Sequence, residues 1–156
     1  MGDIVLITAN EIYLGSDHAG LDLKHILAAQ LENQGYELQD LGTHTQQSCH
    51  YPYYAALVCR RVLEKNALGL LVCGTGLGMS MSANRFPGIR AALCSTEFAA
   101  RMAREHNNAN VLCLGSRVCG VGLAQSILQA FLEAQFQAGR HLERVQLMDK
   151  LPTTAV

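Results

Sequence analysis

The segment Cys73-Gly74-Thr75-Gly76-Leu77-Gly78 has the composition most suited to chemistry. It follows an apolar run and leads toward a short helix. A thiol placed at a strand end, before a glycine-rich turn, faces unpaired backbone N–H groups and the positive end of the helix dipole. Both favour thiolate, and the same N–H groups can stabilise an oxyanion developing on a carbon–oxygen bond. The competing reading is a buried core cysteine beside a tight turn, because free cysteine is among the most buried residue types. The spacing matches neither a Gly-Lys-Ser/Thr phosphate loop nor the dinucleotide G-x-G-x-x-G.

Three further groups stand out. Asp17-His18 can bind sugar hydroxyls or ring oxygens, and Asp17 can equally cap the helix that follows. His106-Asn107-Asn108 closes another helix. His106 suits proton transfer near neutral pH, although pattern alone favours a C-terminal cap. Arg140 and Arg144 lie four apart on one helix face. With Arg117 they would form a set of guanidinium forks suited to a phosphate dianion; unless the fold brings Arg117 near, they read as a solvated basic face. His25, His44, His50 and His141 show no metal-ligand spacing and read as surface or structural residues.

The elements that must position these groups follow from hydrophobic pattern. Strands are predicted at 12–15, 36–41, 68–73, 89–94 and 111–115. Helices are predicted at 21–34, 53–65, 78–84, 96–105, 122–138 and 141–151, with Gly35 as a left-handed cap. Apolar strands alternating with amphipathic helices predict an α/β chain: a doubly wound, Rossmann-like three-layer α/β/α sandwich. Ligands in such folds sit beyond the carboxyl ends of the strands, and Asp17-His18, Cys73–Gly78 and Arg117 all follow strands. The length suits one domain spanning residues 1–156.

Composition excludes several classes. The formal net charge is −1, which gives no basic field for nucleic acid. No apolar run approaches the ~20 residues that span a bilayer, and no secretory signal is visible. The six cysteines, Cys49, Cys59, Cys73, Cys94, Cys113 and Cys119, contain no C-x-x-C pair. They are expected to be reduced thiols in the cytoplasm, with neither a zinc site nor a thioredoxin-like motif.

Five motifs together carry a resemblance. They are Gly15-Ser16-Asp17-His18-Ala19-Gly20, Cys73 to Gly78 as above, Arg104-Glu105-His106-Asn107-Asn108-Ala109-Asn110-Val111, Leu114-Gly115-Ser116-Arg117, and Gly139-Arg140-His141-Leu142-Glu143-Arg144-Val145. In this order they resemble the B-type ribose-5-phosphate isomerase family, over the chain from Ile12 to the last helix. Residues 1–11 would be an N-terminal extension.

The resemblance implies a five-stranded parallel sheet, and a homodimer or dimer of dimers whose active sites are built from both subunits. It implies metal-free, coenzyme-free interconversion of ribose 5-phosphate and ribulose 5-phosphate, within the pentose phosphate pathway. By motif position, Cys73 would move the proton between C2 and C1, assisted by Thr75. The amides of Gly74, Gly76, Leu77 and Gly78 would hold the enediolate oxygens. His106 would open the furanose ring with Asp17 nearby, and Asn107 would bind sugar hydroxyls. His18, Arg117, Arg140 and Arg144 would hold the phosphate.

Two departures bear on this. One branch of the family places a glutamate where this chain has Met79, so Cys73 has no substitute base. The family often shows Asp-Tyr-Pro where this chain has His50-Tyr51-Pro52. The alternatives are an isomerase for allose 6-phosphate or galactose 6-phosphate, and a non-catalytic sugar-phosphate-binding module. The galactose enzyme of the superfamily divides its residues between two different subunits, whereas this chain carries both sets.

Overall fold

The computed structural model describes residues 10–151. Five parallel strands, β1 (Glu11–Ser16), β2 (Glu37–Asp40), β3 (Leu68–Cys73), β4 (Ala91–Leu93) and β5 (Val111–Gly115), form one sheet in the order β2-β1-β3-β5-β4. Six helices accompany them: α1 (Leu21–Asn33), α2 (Tyr51–Lys65), α3 (Leu77–Ala83), α4 (Glu97–Glu105), α5 (Val121–Glu133) and α6 (Gly139–Lys150). The fold is the expected α/β sandwich. Of the supposed N-terminal extension, Glu11 belongs to β1, where it pairs with Glu37, and residues 1–9 lie outside the described residues.

The period-2 alternation of β3 shows why its sequence is apolar throughout. Leu68, Leu70 and Val72 face a core shared with α1, α4 and α5, where Leu27, Ala100 and Phe131 pack. Leu71 and Cys73 face the other core, against Ala55, Val58 and Cys59 of α2 and Met79 of α3. A strand covered on both faces needs apolar residues at every position. The connections from β1 and β3 leave the sheet in opposite directions, toward β2 and toward β5 and β4. This is the switch point where doubly wound sheets open a crevice beyond their carboxyl ends.

Most helix boundaries match their sequence signals. Gly35, at φ 85°, completes a Schellman cap: Tyr36 N–H donates to Leu31 O and Gly35 N–H to Glu32 O. Thr96 caps α4 by accepting from Ala99 N–H. Three boundaries differ by two residues or more, the first being α6, which starts at Gly139 rather than His141. Helix α2 starts at Tyr51 rather than after Pro52, because proline without an N–H is tolerated in a first turn. Helix α5 ends at Glu133 rather than at Ala138. There the apolar pattern continues, but the Gln137 N–H donates to Glu105 O, and Ala138 and Gly139 take positive φ to turn the chain into α6.

Candidate active site

Three strand-end loops are laced together at the carboxyl end of the sheet. After β1, Asp17 accepts the Gly20 N–H on Oδ1 at 3.0 Å, and its own N–H donates to Val72 O. Asp17 is therefore a cap for the 3-10 turn His18–Gly20, as one of its two readings expected. A methyl group on Gly20 would stand 2.4 Å from the Val72 carbonyl oxygen. Only glycine lets this turn lie directly against the end of β3, which brings Asp17 and His18 beside Cys73.

Cys73 is buried, and the Gly76 N–H donates to its Sγ at 3.1 Å. A donor aimed at sulfur stabilises the thiolate that a base requires. Gly76 has φ 78°, and a Cβ there would stand 3.0 Å from the Leu114 carbonyl carbon, so the turn favours glycine for two reasons. The Leu77 N–H donates to Thr75 Oγ1. Two of the amides expected to hold an oxyanion thus already serve the turn and its sulfur. Met79 is wholly buried in the core.

After β5, Ser116 N–H donates to Cys73 O and Arg117 N–H to Gly74 O, both at 2.9 Å. The Arg117 guanidinium lies against Gly74, where a Cβ would be 3.4 Å from its Nη1. Asp17, His18, Cys73, Thr75 and Arg117 therefore lie on strand ends and loops that meet at the carboxyl end of the sheet.

Two neighbours escaped the sequence reading. The Tyr51 ring covers Gly78, so closely that a Cβ would stand 2.6 Å from Cζ. The Cys49 N–H donates to His18 Nδ1 at 3.3 Å, which leaves Nε2–H as the ring's outward donor. The Tyr51 contact had no signal of its own, because the departure in this segment is His50, while Tyr51 and Pro52 keep the family pattern. The Cys49 contact had none either, since a backbone N–H carries no sequence mark.

The remaining predicted residues lie at the opposite end of the sheet. Helix α4 runs back along the strands, so His106 and Asn107 precede the amino end of β5. In the shared register Gly69 pairs with Val111 and Cys73 with Gly115. Four residues of strand, roughly 13 Å, therefore separate the two ends. Helix α6 sits at this amino end: His141 stacks on His106 at 4.1 Å between ring centroids, and Asp149 bonds Arg90 just before β4. Arg140 and Arg144 are exposed on α6. Within one chain they lie at the opposite end of the sheet from Arg117, so a phosphate cluster of all three would draw on two subunits.

The Arg104–Val111 motif separates into scaffold and presented groups. Arg104 is buried, donates to Ala109 O at 2.6 Å, and lies over the Phe131 ring. Asn108 takes left-handed backbone, and Asn110 bonds Arg90 N–H and Gly88 O. These contacts hold the loop, leaving Asn107 exposed and His106 half-buried. A cavity of about 480 Å³ opens beside them, lined by Phe86, Ile89, Arg90, Asn107 and Met148. It lies away from Cys73, at the end that carries His106.

Electrostatics divide the thiols and imidazoles. Burial pushes Cys59 up to about 12, Cys94 to about 11 and Cys113 well above the ordinary thiol range. Cys119 is raised by burial and by Glu97. Burial, His106, Arg140 and Arg144 hold His141 below the usual imidazole range. Among the described residues the metal-ligating side chains that gather in a group are His25, Asp40 and His44, outside this cleft. No helix of the described residues is long and apolar enough to cross a membrane.

The family model described as Ribose/Galactose Isomerase matches residues 12–148. The ribose-5-phosphate isomerase B of Escherichia coli K12 is 45% identical over 137 residues, covering 87% of this chain and 92% of that protein. A galactose-6-phosphate isomerase subunit of Clostridium acetobutylicum is 38% identical over 135 residues, covering 86% and 78%. Among solved structures, a ribose-5-phosphate isomerase B of Clostridium thermocellum superposes with a TM-score of 0.89 at 46% identity, covering 91% of this chain and 97% of that one. The corresponding structure from Thermotoga maritima gives a TM-score of 0.87 at 46% identity, covering 90% and 97%.

Proposed function

This chain belongs to the ribose/galactose isomerase family, and from that premise we propose that it interconverts ribose 5-phosphate and ribulose 5-phosphate with Cys73 as the base. The observation that carries the reading is the Gly76 N–H donating to Cys73 Sγ at the head of the crevice, with Asp17, His18 and Arg117 around it.

The proton beside a carbonyl is weakly acidic, so its removal is fast only if the enediolate is stabilised as it forms. The Cys73 thiolate takes the proton from C2; as the C1–C2 double bond forms, the carbonyl pair of C1 moves onto O1. The proton of the C2 hydroxyl passes to O1, the pair left on O2 forms the new carbonyl at C2, and the electrons of the C1–C2 double bond take the proton back from the Cys73 thiol at C1, which restores the thiolate. One well-aimed N–H donor lowers such a barrier by about 3 kcal/mol. Gly74 and Gly78 bring the next amides of the turn, and those of Gly76 and Leu77 join if they exchange their present partners. Thr75 assists at the same place.

His106 opens the furanose ring with Asp17, and Asn107 binds the sugar hydroxyls. His18 Nε2–H, Arg117, Arg140 and Arg144 hold the phosphate. Its binding energy fixes the open chain over the base without taking part in the chemistry. None of these steps calls for a metal or coenzyme.

A separation of roughly 13 Å between strand ends is too long for Cys73 and His106 to serve one small sugar from within one chain. We therefore assign His106, Asn107, Arg140 and Arg144 to the cleft of a second copy, in a homodimer or dimer of dimers with shared sites. The exposed apolar residues Tyr53, Met81, Phe98 and Val118 support an extensive contact between copies. The whole chain acts as a single isomerase domain, in the cytoplasm where a thiol base stays reduced, within the pentose phosphate pathway.

The galactose-6-phosphate isomerase relative favours a second reading, a six-carbon substrate, with allose 6-phosphate as the other candidate sugar. The test is isomerisation of ribose 5-phosphate by wild type and Cys73→Ala in EDTA, with allose 6-phosphate alongside. Turnover lost in a folded variant supports the mechanism, and the ratio of the sugars assigns the substrate. Activity surviving in the variant removes Cys73 as base. Binding without turnover by folded wild type would make the chain a sugar-phosphate-binding module.

A further inference from the structure

We propose that His25, Asp40 and His44 form a binding site for a divalent transition-metal ion, separate from the isomerase cleft. His25 lies on α1, Asp40 ends β2, and His44 lies in the loop that follows. Distance along the chain hides the group, and the fold gathers it: one donor atom from each residue lies within 4.8 Å of the others. His44 Nδ1 is 3.9 Å from Asp40 Oδ2. Tetrahedral coordination with bonds of about 2.0–2.2 Å sets neighbouring ligand atoms roughly 3.3–3.6 Å apart. The two imidazoles are exposed and can close that difference by side-chain rotation.

The carboxylate is already oriented as a ligand. Lys24, fully buried, donates to Asp40 Oδ1 at 2.8 Å and lies 2.7 Å from Oδ2, and the Gly42 N–H donates to Oδ1 at 2.9 Å. Such outer contacts fix a metal-binding carboxylate. Each carboxylate oxygen has a second lone pair, and Oδ2 also faces His44. The Lys24 ammonium weakens the attraction for any cation, so selectivity rests on the imidazoles. Two imidazoles and one carboxylate suit zinc, cobalt, nickel or copper, and disfavour magnesium and calcium.

An ion here would join α1 to the loop 41–50. Lys24 already donates to Thr43 O at 2.8 Å, and Gln46 to Asp22 at 3.0 Å. The same loop carries Cys49, whose N–H meets His18. The metal therefore clips the segment that orients His18, while taking no part in proton transfer. Binding to the folded chain alone also raises its thermal midpoint.

Cobalt(II) is the probe, because its spectrum separates this site from the thiols. The full chain and the double variant His25→Gln/His44→Gln, both with Lys24 and Asp40 intact, are titrated by absorbance and calorimetry after checking their fold by circular dichroism. One equivalent is expected to bind wild type, with visible d–d bands, no thiolate charge-transfer band and a raised Tm. The double variant is expected to bind roughly tenfold or more weakly and to lose the Tm shift. Equal affinity in the double variant, a thiolate band on the bound ion, or no binding by wild type at millimolar cobalt would each overturn the site.

Discussion

Two inactive variants of this chain should restore activity in each other when mixed. Cys73→Ala lacks the proposed base, and His106→Ala lacks the proposed ring-opening group. Each alone is expected to lose at least ~100-fold in turnover of ribose 5-phosphate. In the proposed dimer each cleft would take Cys73 from one chain and His106 from the other, since roughly 13 Å of strand separates the two within a chain. A hybrid dimer then has one cleft with both groups intact and one with neither. Random reassortment of equal amounts makes about half the dimers hybrid, so about a quarter of wild-type activity returns; a hybrid purified through two different tags should show about half. The assay is initial-rate isomerisation of ribose 5-phosphate after subunit exchange or co-expression. A tag-verified hybrid no more active than its parents would refute the division of the site, and would require both groups to act from one chain.

Other consequences follow from single positions. His50 is the N-cap of α2, has extended backbone and makes no side-chain cap bond; His50→Asp should stabilise the chain by about 1 kcal/mol, and an unmoved urea midpoint would reject the cap. Gly20→Ala puts a methyl 2.4 Å from Val72 O; a loss of about 2–3 kcal/mol with reduced turnover is expected in urea unfolding and rate assays. His141 is held below the usual imidazole range by burial, His106, Arg140 and Arg144, so the unfolded chain takes up its proton first on acidification. The stability tied to neutral His141 is present above the ordinary imidazole value near 6.5 and falls as pH drops below it. Wild type should therefore lose more stability than His141→Asn between pH 7.5 and 5, and equal losses would remove His141 as the cause.

Local signals located most of the architecture. The run Leu68–Cys73 announced a strand covered on both faces, Gly35 a left-handed cap, and Thr96 a helix start. The gathering of the candidate residues Asp17, His18, Cys73 and Arg117 was legible for the same reason. Asp17, His18, Cys73 and Arg117 each follow a strand, and parallel strands deliver their carboxyl ends to one side of the sheet. The C-terminal end of α5 and the start of α2 lie elsewhere than expected because a bond from Gln137 N–H to Glu105 O and a tolerated Pro52 are not properties of hydrophobic period.

The sequence by itself determined the element order, the parallel sheet and the chemistry that each motif can supply, because these depend on side-chain type and on neighbours a few residues away. The tertiary structure alone decided what meets what. It set Gly20 against Val72, and Cys49 N–H against His18. It brought His25, Asp40 and His44 together from three elements. It carried His106, Arg140 and Arg144 to the far end of the sheet from Cys73. The reason is that α4 runs antiparallel to the strands: a residue at its end returns to the amino edge, whatever its chemistry, and the length of the strands then separates it from Cys73.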